Sequence, residues 1–147
     1  MSGPAHPPVT LTRPATLDGL PDLLAALDDA LAQAGCDDAV QFALHLATEE
    51  AAVNVITHGY AGRPPGSLTL SVGITDRSAV VTLTDAAPVF DPAAAPPPDL
   101  ASDAMDRPIG GLGWHMIRET MDEVRHEPVA GGGNRFILIK HRPESPA

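Results

Sequence analysis

The chain has 147 residues, a length typical of one domain, and its 44% of apolar residues is enough for a hydrophobic core. Aromatic residues make up only 3%, so that core must consist mainly of Ala, Leu, Val and Ile. The formal net charge of -10 argues against a nucleic-acid partner, because a nucleic-acid groove needs basic surface.

Cysteine usage and the N-terminus bear on the compartment. Cys36 is the only cysteine, so the sequence allows no disulfide within the chain and no cysteine cluster for zinc. Residues 1–8 are polar and proline-rich, which predicts a disordered tail rather than a signal peptide. The sequence also has no run of about 18 apolar residues that could cross a membrane. We therefore expect a cytoplasmic protein without a membrane partner.

The predicted domain, residues 9–140, begins with a short strand and a helix. Val9 to Arg13 alternates apolar and polar residues, which is typical of a strand. Thr16 is the predicted N-cap of the first helix, in which leucines recur at helical spacing. Gly35 is expected to end this helix.

A second helix and a hairpin follow. Asp37 or Asp38 is the predicted cap of this helix, which runs to about His58 and stops at Gly59. Residues 68–74 alternate apolar and polar side chains, and residues 80–84 provide the partner strand of a hairpin.

The second half of the domain contains a long loop, a third helix and another hairpin. Residues 86–108 are rich in Pro, Ala and Asp without periodicity, and a loop of this length favours a functional lid or local disorder. A glycine-rich turn then opens a helix from Trp114 to about Met121, and strands are predicted over residues 123–127 and 134–140, before a polar tail over residues 141–147. This order predicts an α+β fold, a two-layer sandwich in which three helices cover one face of a mixed, mostly antiparallel sheet.

Glu50 and Asn54 are the first candidate site residues. Four residues apart on a helix, they lie on one face with their Cβ atoms about 5–6 Å apart, on a stripe otherwise made of small and apolar residues. A Glu can deprotonate an attacking hydroxyl, and an Asn oxygen is a good Mg²⁺ ligand. The alternative is an exposed pair of the kind that is common on any helix.

Asp85 and the glycine-rich turn are the other candidates. Asp85 ends a strand, where its carboxylate can accept a hydrogen bond from an exocyclic amine, or can be a simple turn residue. Gly110, Gly111 and Gly113 precede a helix, where backbone N–H groups can approach an anion, or the glycines can form a hinge. His58 lies four residues beyond Asn54 and can reach the same stripe, or be structural.

Three segments together resemble a known family. Residues 48–60 (TEEAAVNVITHGY), 83–92 (LTDAAPVFDP) and 109–117 (IGGLGWHMI) resemble, in this order, the three ATP-binding boxes of bacterial anti-sigma-factor serine/threonine kinases. These kinases belong to the histidine kinase-like ATPase superfamily. Residues 121–124 and 133–140 are similar to the closing strands of the family, so the resemblance extends over about residues 9–140 and implies the histidine kinase-like ATPase fold.

The resemblance implies roles for these residues with ATP and Mg²⁺ as cofactors. Glu50 would be the general base, Asn54 the magnesium ligand and Asp85 the acceptor for the adenine amine. The loop over residues 86–108 would be the ATP lid. The implied nucleotide-binding positions are Asn54, His58, Asp85, Ala87, Val89, Gly110, Gly111, Leu112 and Gly113.

The second box departs from the strict pattern of the family. Ala87 and Val89 stand where that pattern has glycines. The Cβ of Ala87 is expected where the chain passes close to the adenine, and the branched Val89 disfavours positive φ. The departure bears on tight ATP binding and on turnover.

By the resemblance, the protein is an anti-sigma-type kinase that phosphorylates a STAS-type anti-sigma antagonist and sequesters a sigma factor or a similar regulator. A homodimer is typical of the family. Two alternatives stay open: a non-catalytic module that switches partners with ATP, and the detached ATPase domain of a histidine kinase. The second is less favoured because the first helix carries no histidine.

Overall fold

The structure is a computed structural model that describes residues 8–60, 62–88 and 111–143, with the side chains of residues 111–114 and 116 left out. Five strands and three α-helices follow one another along the chain: β1 (Val9–Pro14), α1 (Leu20–Gln33), α2 (Asp38–Asn54), β2 (Ser67–Ile74), β3 (Ser78–Asp85), α3 (Gly111–Thr120), β4 (Glu123–Pro128) and β5 (Asn134–His141). The predicted α+β fold is confirmed.

The five strands form one sheet in the order β1-β2-β3-β5-β4. All four pairings in the described part of the chain are antiparallel, where the sequence predicted a mixed, mostly antiparallel sheet. β3 is the central strand, and its last residue, Asp85, lies opposite Leu68 of β2 and Asn134 of β5. The end of β3 therefore has a strand on each side, which restricts where the Asp85 side chain can go.

One face of the sheet carries the core. Alternate residues of β2 and β3 are buried, as period-2 patterning predicts, and they pack against the leucines of α1 and the small residues of α2. With few aromatic residues in the chain, Phe136 is the largest of the fully buried side chains, most of which are Leu and Val. The three helices pack against the sheet, with α2 in contact with both β3 and β5. This contact brings the predicted Glu50–Asn54 helix close to the strand that ends in Asp85.

Two helix starts test the capping predictions. Asp37 is the N-cap of α2, because its Oδ1 accepts a hydrogen bond of 2.8 Å from the Val40 N–H, and this prediction is confirmed. The predicted cap at Thr16 is wrong. α1 begins at Leu20 with Gly19 as its N-cap, and the Thr16 hydroxyl accepts from the Gly19 N–H in the turn before the helix.

Three other boundaries differ from the prediction. α2 is α-helical only to Asn54 and continues as a π-helical segment, Val55–Gly59, so His58 lies on a π turn. α3 begins at Gly111 rather than at Trp114. β5 includes His141, one residue beyond the predicted strand, and the following Arg142 donates hydrogen bonds from its guanidinium to the carbonyls of Thr75 and Ala34. Within the described residues, the helices are too short or too polar to span a membrane.

Candidate functional site

Asp85 is a buried carboxylate with one satisfied and one unsatisfied oxygen. Its side chain is 5% exposed at the end of β3. Oδ1 accepts hydrogen bonds from the backbone N–H of Ala87 at 2.9 Å and from Nδ2 of Asn134 at 3.0 Å. Oδ2 is buried without a hydrogen-bond partner among the residues that the structure describes. A buried acceptor without a donor is unfavourable, so this oxygen is ready to receive a donor from a ligand.

The electrostatics of Asp85 reflect the same environment. Burial raises the pKa of its carboxyl, while the hydrogen bonds from Asn134 and Ala87 act in the opposite direction by stabilising the charged form. The two donors hold the carboxylate in one orientation. The unpartnered Oδ2 then has a fixed position, which is what a recognition site for an amine requires.

The sequence reasoning did not identify Asn134 as a site residue. Asn134 is fully buried at the start of β5 and connects Asp85 to His126 on the edge strand β4, because its Oδ1 is 2.8 Å from the His126 Nε2. Its position directly opposite Asp85 follows from the β3–β5 register. The only sequence signal was a polar residue at the start of a strand whose centre, residues 136–139, is apolar.

Tyr60 joins the end of the second helix to the end of β3. The Tyr60 hydroxyl donates to the Ser67 carbonyl at 3.1 Å and accepts from the Ala86 N–H at 2.9 Å. It passes so close to Gly66 that a Cβ at this glycine would lie 2.6 Å from the hydroxyl oxygen. One phenol therefore fixes the backbone immediately after Asp85, and no sequence pattern predicted this contact.

Gly133 makes the second close approach to this backbone. It has a φ of +118°, and a Cβ there would clash with the Asp85 carbonyl oxygen. Its neighbour Gly132 has a similar φ of +111° but open space around it. Both glycines are needed for the turn between β4 and β5, and only Gly133 is needed for contact with Asp85.

Glu50 and Asn54 share one face of α2, as their spacing predicted. Asn54 is 4% exposed, and its Nδ2 is buried without a hydrogen-bond partner among the described residues. Glu50 is half-buried, and burial followed by the nearby charge of Glu49 raises the pKa of its carboxyl. Like Asp85, this pair combines loss of water with unmet hydrogen-bonding capacity. The prediction of a plain exposed pair does not describe Asn54.

The other predicted positions divide into three groups. His58 is exposed on the π turn, whereas Asn54 is buried, so the two differ in environment. Gly111, Leu112 and Gly113 form the first turn of α3, with their backbone inside the helix rather than ahead of it. Val89, Gly110 and residues 89–108 of the predicted lid lie outside the described residues. Their roles stay predictions.

Ala87 is accommodated without backbone strain. Its side chain is 1% exposed and belongs to the hydrophobic core. Among the described residues, no residue other than glycine has a positive φ, so the backbone at Ala87 does not need glycine. The Ala87 methyl group packs into the core, so this Cβ does not disturb the backbone of the second box in the way that was expected.

Sequence comparison adds the family to this geometry. Residues 13–140 match the family model described as histidine kinase-like ATPase domain. The chain belongs to this family. The match covers all three boxes and the five described strands except the start of β1 and the end of β5.

Two known proteins are similar to this family member. The serine/threonine-protein kinase BtrW of Bordetella bronchiseptica is 29% identical over 107 residues, which cover 72% of this chain and 75% of that protein. The crystal structure of the RsbU and RsbW domains of Rv1364c from Mycobacterium tuberculosis superposes with a TM-score of 0.66, at 22% identity, over 97% of this chain. This chain spans only 35% of that two-domain structure, and the likeness shows the fold.

Proposed function

We propose that this histidine kinase-like ATPase domain binds Mg-ATP and transfers the γ-phosphoryl group to a serine or threonine of a partner protein. The single observation that carries the proposal is the Asp85 carboxylate, buried with Oδ1 satisfied and with no donor to Oδ2 in the described part of the chain. The amine of adenine is such a donor, and its hydrogen bond would satisfy an acceptor that is otherwise costly to bury.

The residues of α2 fit the phosphate end of the same nucleotide. The Asn54 amide is buried, and its nitrogen has no partner among the described residues; such an amide can donate to a phosphate oxygen or, rotated about its last bond, present its oxygen to Mg²⁺. Asn54 would hold the metal, and the first turn of α3 would approach the phosphates. The N-terminus of a helix favours an anion by its partial positive charge.

Glu50 is the residue that we propose as general base. When bound, Mg-ATP would supply the transferable phosphoryl group, and its Mg²⁺ would neutralise the negative charge that develops on that group. Glu50 would accept the proton of the attacking hydroxyl as the hydroxyl oxygen bonds to the γ-phosphorus, while the bond from that phosphorus to the β–γ bridging oxygen breaks and ADP leaves. Burial raises the pKa of Glu50, which increases its affinity for that proton.

The partner is proposed from the similar proteins. BtrW is a serine/threonine-protein kinase, and the Mycobacterium tuberculosis structure contains an RsbW domain. We therefore propose that the acceptor is a STAS-type anti-sigma antagonist, that the chain also sequesters a sigma factor or similar regulator, and that it acts as a cytoplasmic homodimer.

A transfer assay with matched variants tests the function. Purified protein, Mg-ATP and a candidate antagonist are incubated, and the antagonist is analysed by intact mass for the gain of one phosphoryl group. We expect the gain with wild type and with Glu49→Gln, and its loss with Glu50→Gln. Glu49 is the matched control because it is the adjacent carboxylate, half-buried and 3.7 Å from His45 Nε2. ATP binding without transfer by wild type would favour the non-catalytic switching module instead.

A further inference from the structure

A hydrogen-bonded chain of three side chains runs from the edge strand to the candidate adenine site. It consists of His126 on β4, Asn134 on β5 and Asp85 on β3, joined at 2.8 Å and 3.0 Å. Asn134 is fully buried and Asp85 is 5% exposed, so the second link is shielded from water. A buried polar chain of this kind is costly unless each member is satisfied, and it then fixes a single arrangement.

The chemistry of its neighbours determines which way the Asn134 amide faces. On one side it meets Oδ1 of Asp85 at 3.0 Å and the carbonyl oxygens of Pro88 at 3.2 Å and Ala87 at 3.5 Å. All three are acceptors, so the atom that faces them must be the NH₂ group. The amide oxygen consequently faces His126, and because an amide oxygen can only accept, His126 must carry a proton on Nε2.

His126 is itself held in place. It lies opposite Phe136 in the β4–β5 ladder, and the two rings are 4.8 Å apart between centroids. From this position its Nε2 reaches diagonally to Asn134, two residues before Phe136 on β5. A fixed imidazole thus fixes the amide, and the amide fixes Oδ1 of Asp85.

We propose that Asn134 and His126 are positioning residues that direct the free Oδ2 of Asp85 toward the nucleotide base and thereby make the site selective for a 6-amino purine. This inference rests on the proposed nucleotide site. The Asn134 NH₂ occupies Oδ1, so the carboxylate cannot turn to offer a different oxygen. A base with an exocyclic amine at this point donates to Oδ2, whereas a base with a carbonyl there places an acceptor against an acceptor.

Removal of the Asn134 amide should reduce this selectivity rather than binding in general. In Asn134→Leu, a side chain of similar size without polar atoms, Asp85 loses the amide donor to Oδ1 and keeps the backbone N–H groups of Ala87 and residue 134, so the carboxylate is held less firmly. We expect ATP affinity to fall about 5- to 30-fold while the affinity for ITP, which has a 6-oxo group, changes little. A purely structural role would instead weaken both nucleotides equally.

Three further variants keep the test independent of folding. Asn134→Thr retains a hydroxyl that can donate to Asp85, and it should recover most of the ATP-over-ITP preference. His126→Phe retains the ring contact with Phe136 but loses the N–H, and it should lower the preference about 2- to 10-fold. Arg135→Ala, an exposed neighbour on β5, should leave the preference unchanged.

The experiment is isothermal titration of the full chain and each variant with Mg-ATP and Mg-ITP, with thermal unfolding as a check on the fold. A reduced ATP-to-ITP affinity ratio in Asn134→Leu and His126→Phe supports the proposal, and the His126 variant decides if Asn134→Leu does not fold. An unchanged ratio in folded variants overturns the positioning role alone. If wild type binds neither nucleotide, the proposed function is wrong, and this inference fails with it.

Discussion

Asp85 and Glu50 are both acidic residues that lose water on folding, yet the structure holds them differently. Asp85 lies at the end of the central strand with two donors on Oδ1 and 5% exposure. Glu50 is half-buried on a helix face, and its carboxyl accepts no hydrogen bond from the residues that the structure describes. A residue that recognises a nucleotide base needs a fixed orientation. A general base, in contrast, is oriented by the substrate hydroxyl that it contacts. Under the proposed function, Asp85 would form a recognition end on the sheet and Glu50 a chemical end on α2.

The largest expected effect separates these two ends. Glu50→Gln keeps the size of the side chain but removes the base, so we expect phosphoryl transfer to fall about 10²- to 10⁴-fold. ATP affinity should stay within about twofold of the wild-type value, because the substitution leaves the contacts of Asp85 at the recognition end unchanged. Single-turnover transfer and titration with ATP provide the two numbers. Transfer at the wild-type rate would remove Glu50 from the chemistry.

Asp85→Asn should act on the opposite end. It replaces one of the two carboxylate oxygens, Oδ2 or the hydrogen-bonded Oδ1, with an NH₂ group that cannot accept a hydrogen bond from an amine. We expect ATP affinity to fall about 10- to 100-fold, since hydrogen bonds to charged groups are the stronger ones. Titration calorimetry measures the change. An affinity equal to that of wild type would mean that Asp85 does not contact the nucleotide.

Gly133 tests whether the recognition end depends on close backbone packing. Gly133→Ala meets both an unfavourable φ and the Asp85 carbonyl, while Gly132→Ala meets only the unfavourable φ. We expect Gly133→Ala to lower the free energy of unfolding by about 1–3 kcal/mol more than Gly132→Ala. Urea unfolding compares the two. Equal losses would indicate that the turn relaxes away from Asp85.

Tyr60 tests the link between the two ends. Tyr60→Phe leaves the Ser67 carbonyl and the Ala86 N–H without their shared hydroxyl, at a cost of about 1 kcal/mol in stability. Thr12→Val, which removes an exposed hydroxyl pair with Thr69, is the control and should change stability by less than about 0.5 kcal/mol. A Tyr60→Phe variant as stable as the control would show that the bridge contributes nothing.

The smallest effect is a pH dependence of opposite sign for stability and for binding. Burial raises the pKa of Asp85 above its ordinary 3.8, so the folded state binds this proton more tightly than the unfolded state. Between pH 3.8 and the raised pKa of Asp85, the free energy of unfolding therefore falls as pH rises. Wild type should accordingly gain stability relative to Asp85→Asn as pH is lowered through this interval. ATP affinity should fall as pH is lowered through the same interval, because protonation of Oδ2 removes the acceptor. Parallel unfolding curves for the two proteins across this interval would contradict the assignment.

Local patterns in the sequence predicted most of the fold. The alternation in β2 and β3 and the Asp37 cap were predicted correctly because strand period and capping depend on neighbouring residues. Thr16 failed as a cap because its hydroxyl bonds within a turn and Gly19 begins the helix. The π-helical segment after Asn54 has no period that a sequence pattern reveals.

The supporting residues of the site could not be predicted in the same way. Glu50, Asn54 and Asp85 stand in short motifs, but Asn134, Tyr60 and Gly133 reach Asp85 or the adjacent Ala86 from 26 to 49 residues away. Their positions depend on the register of β3 with β5 and on the path of the chain after α2. Those are properties of tertiary structure, and only the folded chain shows them.

Binding of Mg-ATP to three proteins tests the central claim most directly. Titration of wild type, Glu50→Gln and Asp85→Asn compares the recognition end with the chemical end in one measurement. We predict saturable binding of one nucleotide per chain to wild type and Glu50→Gln with similar Kd, and strongly weakened binding to Asp85→Asn. No binding by wild type, or equal binding by all three proteins, would contradict the account.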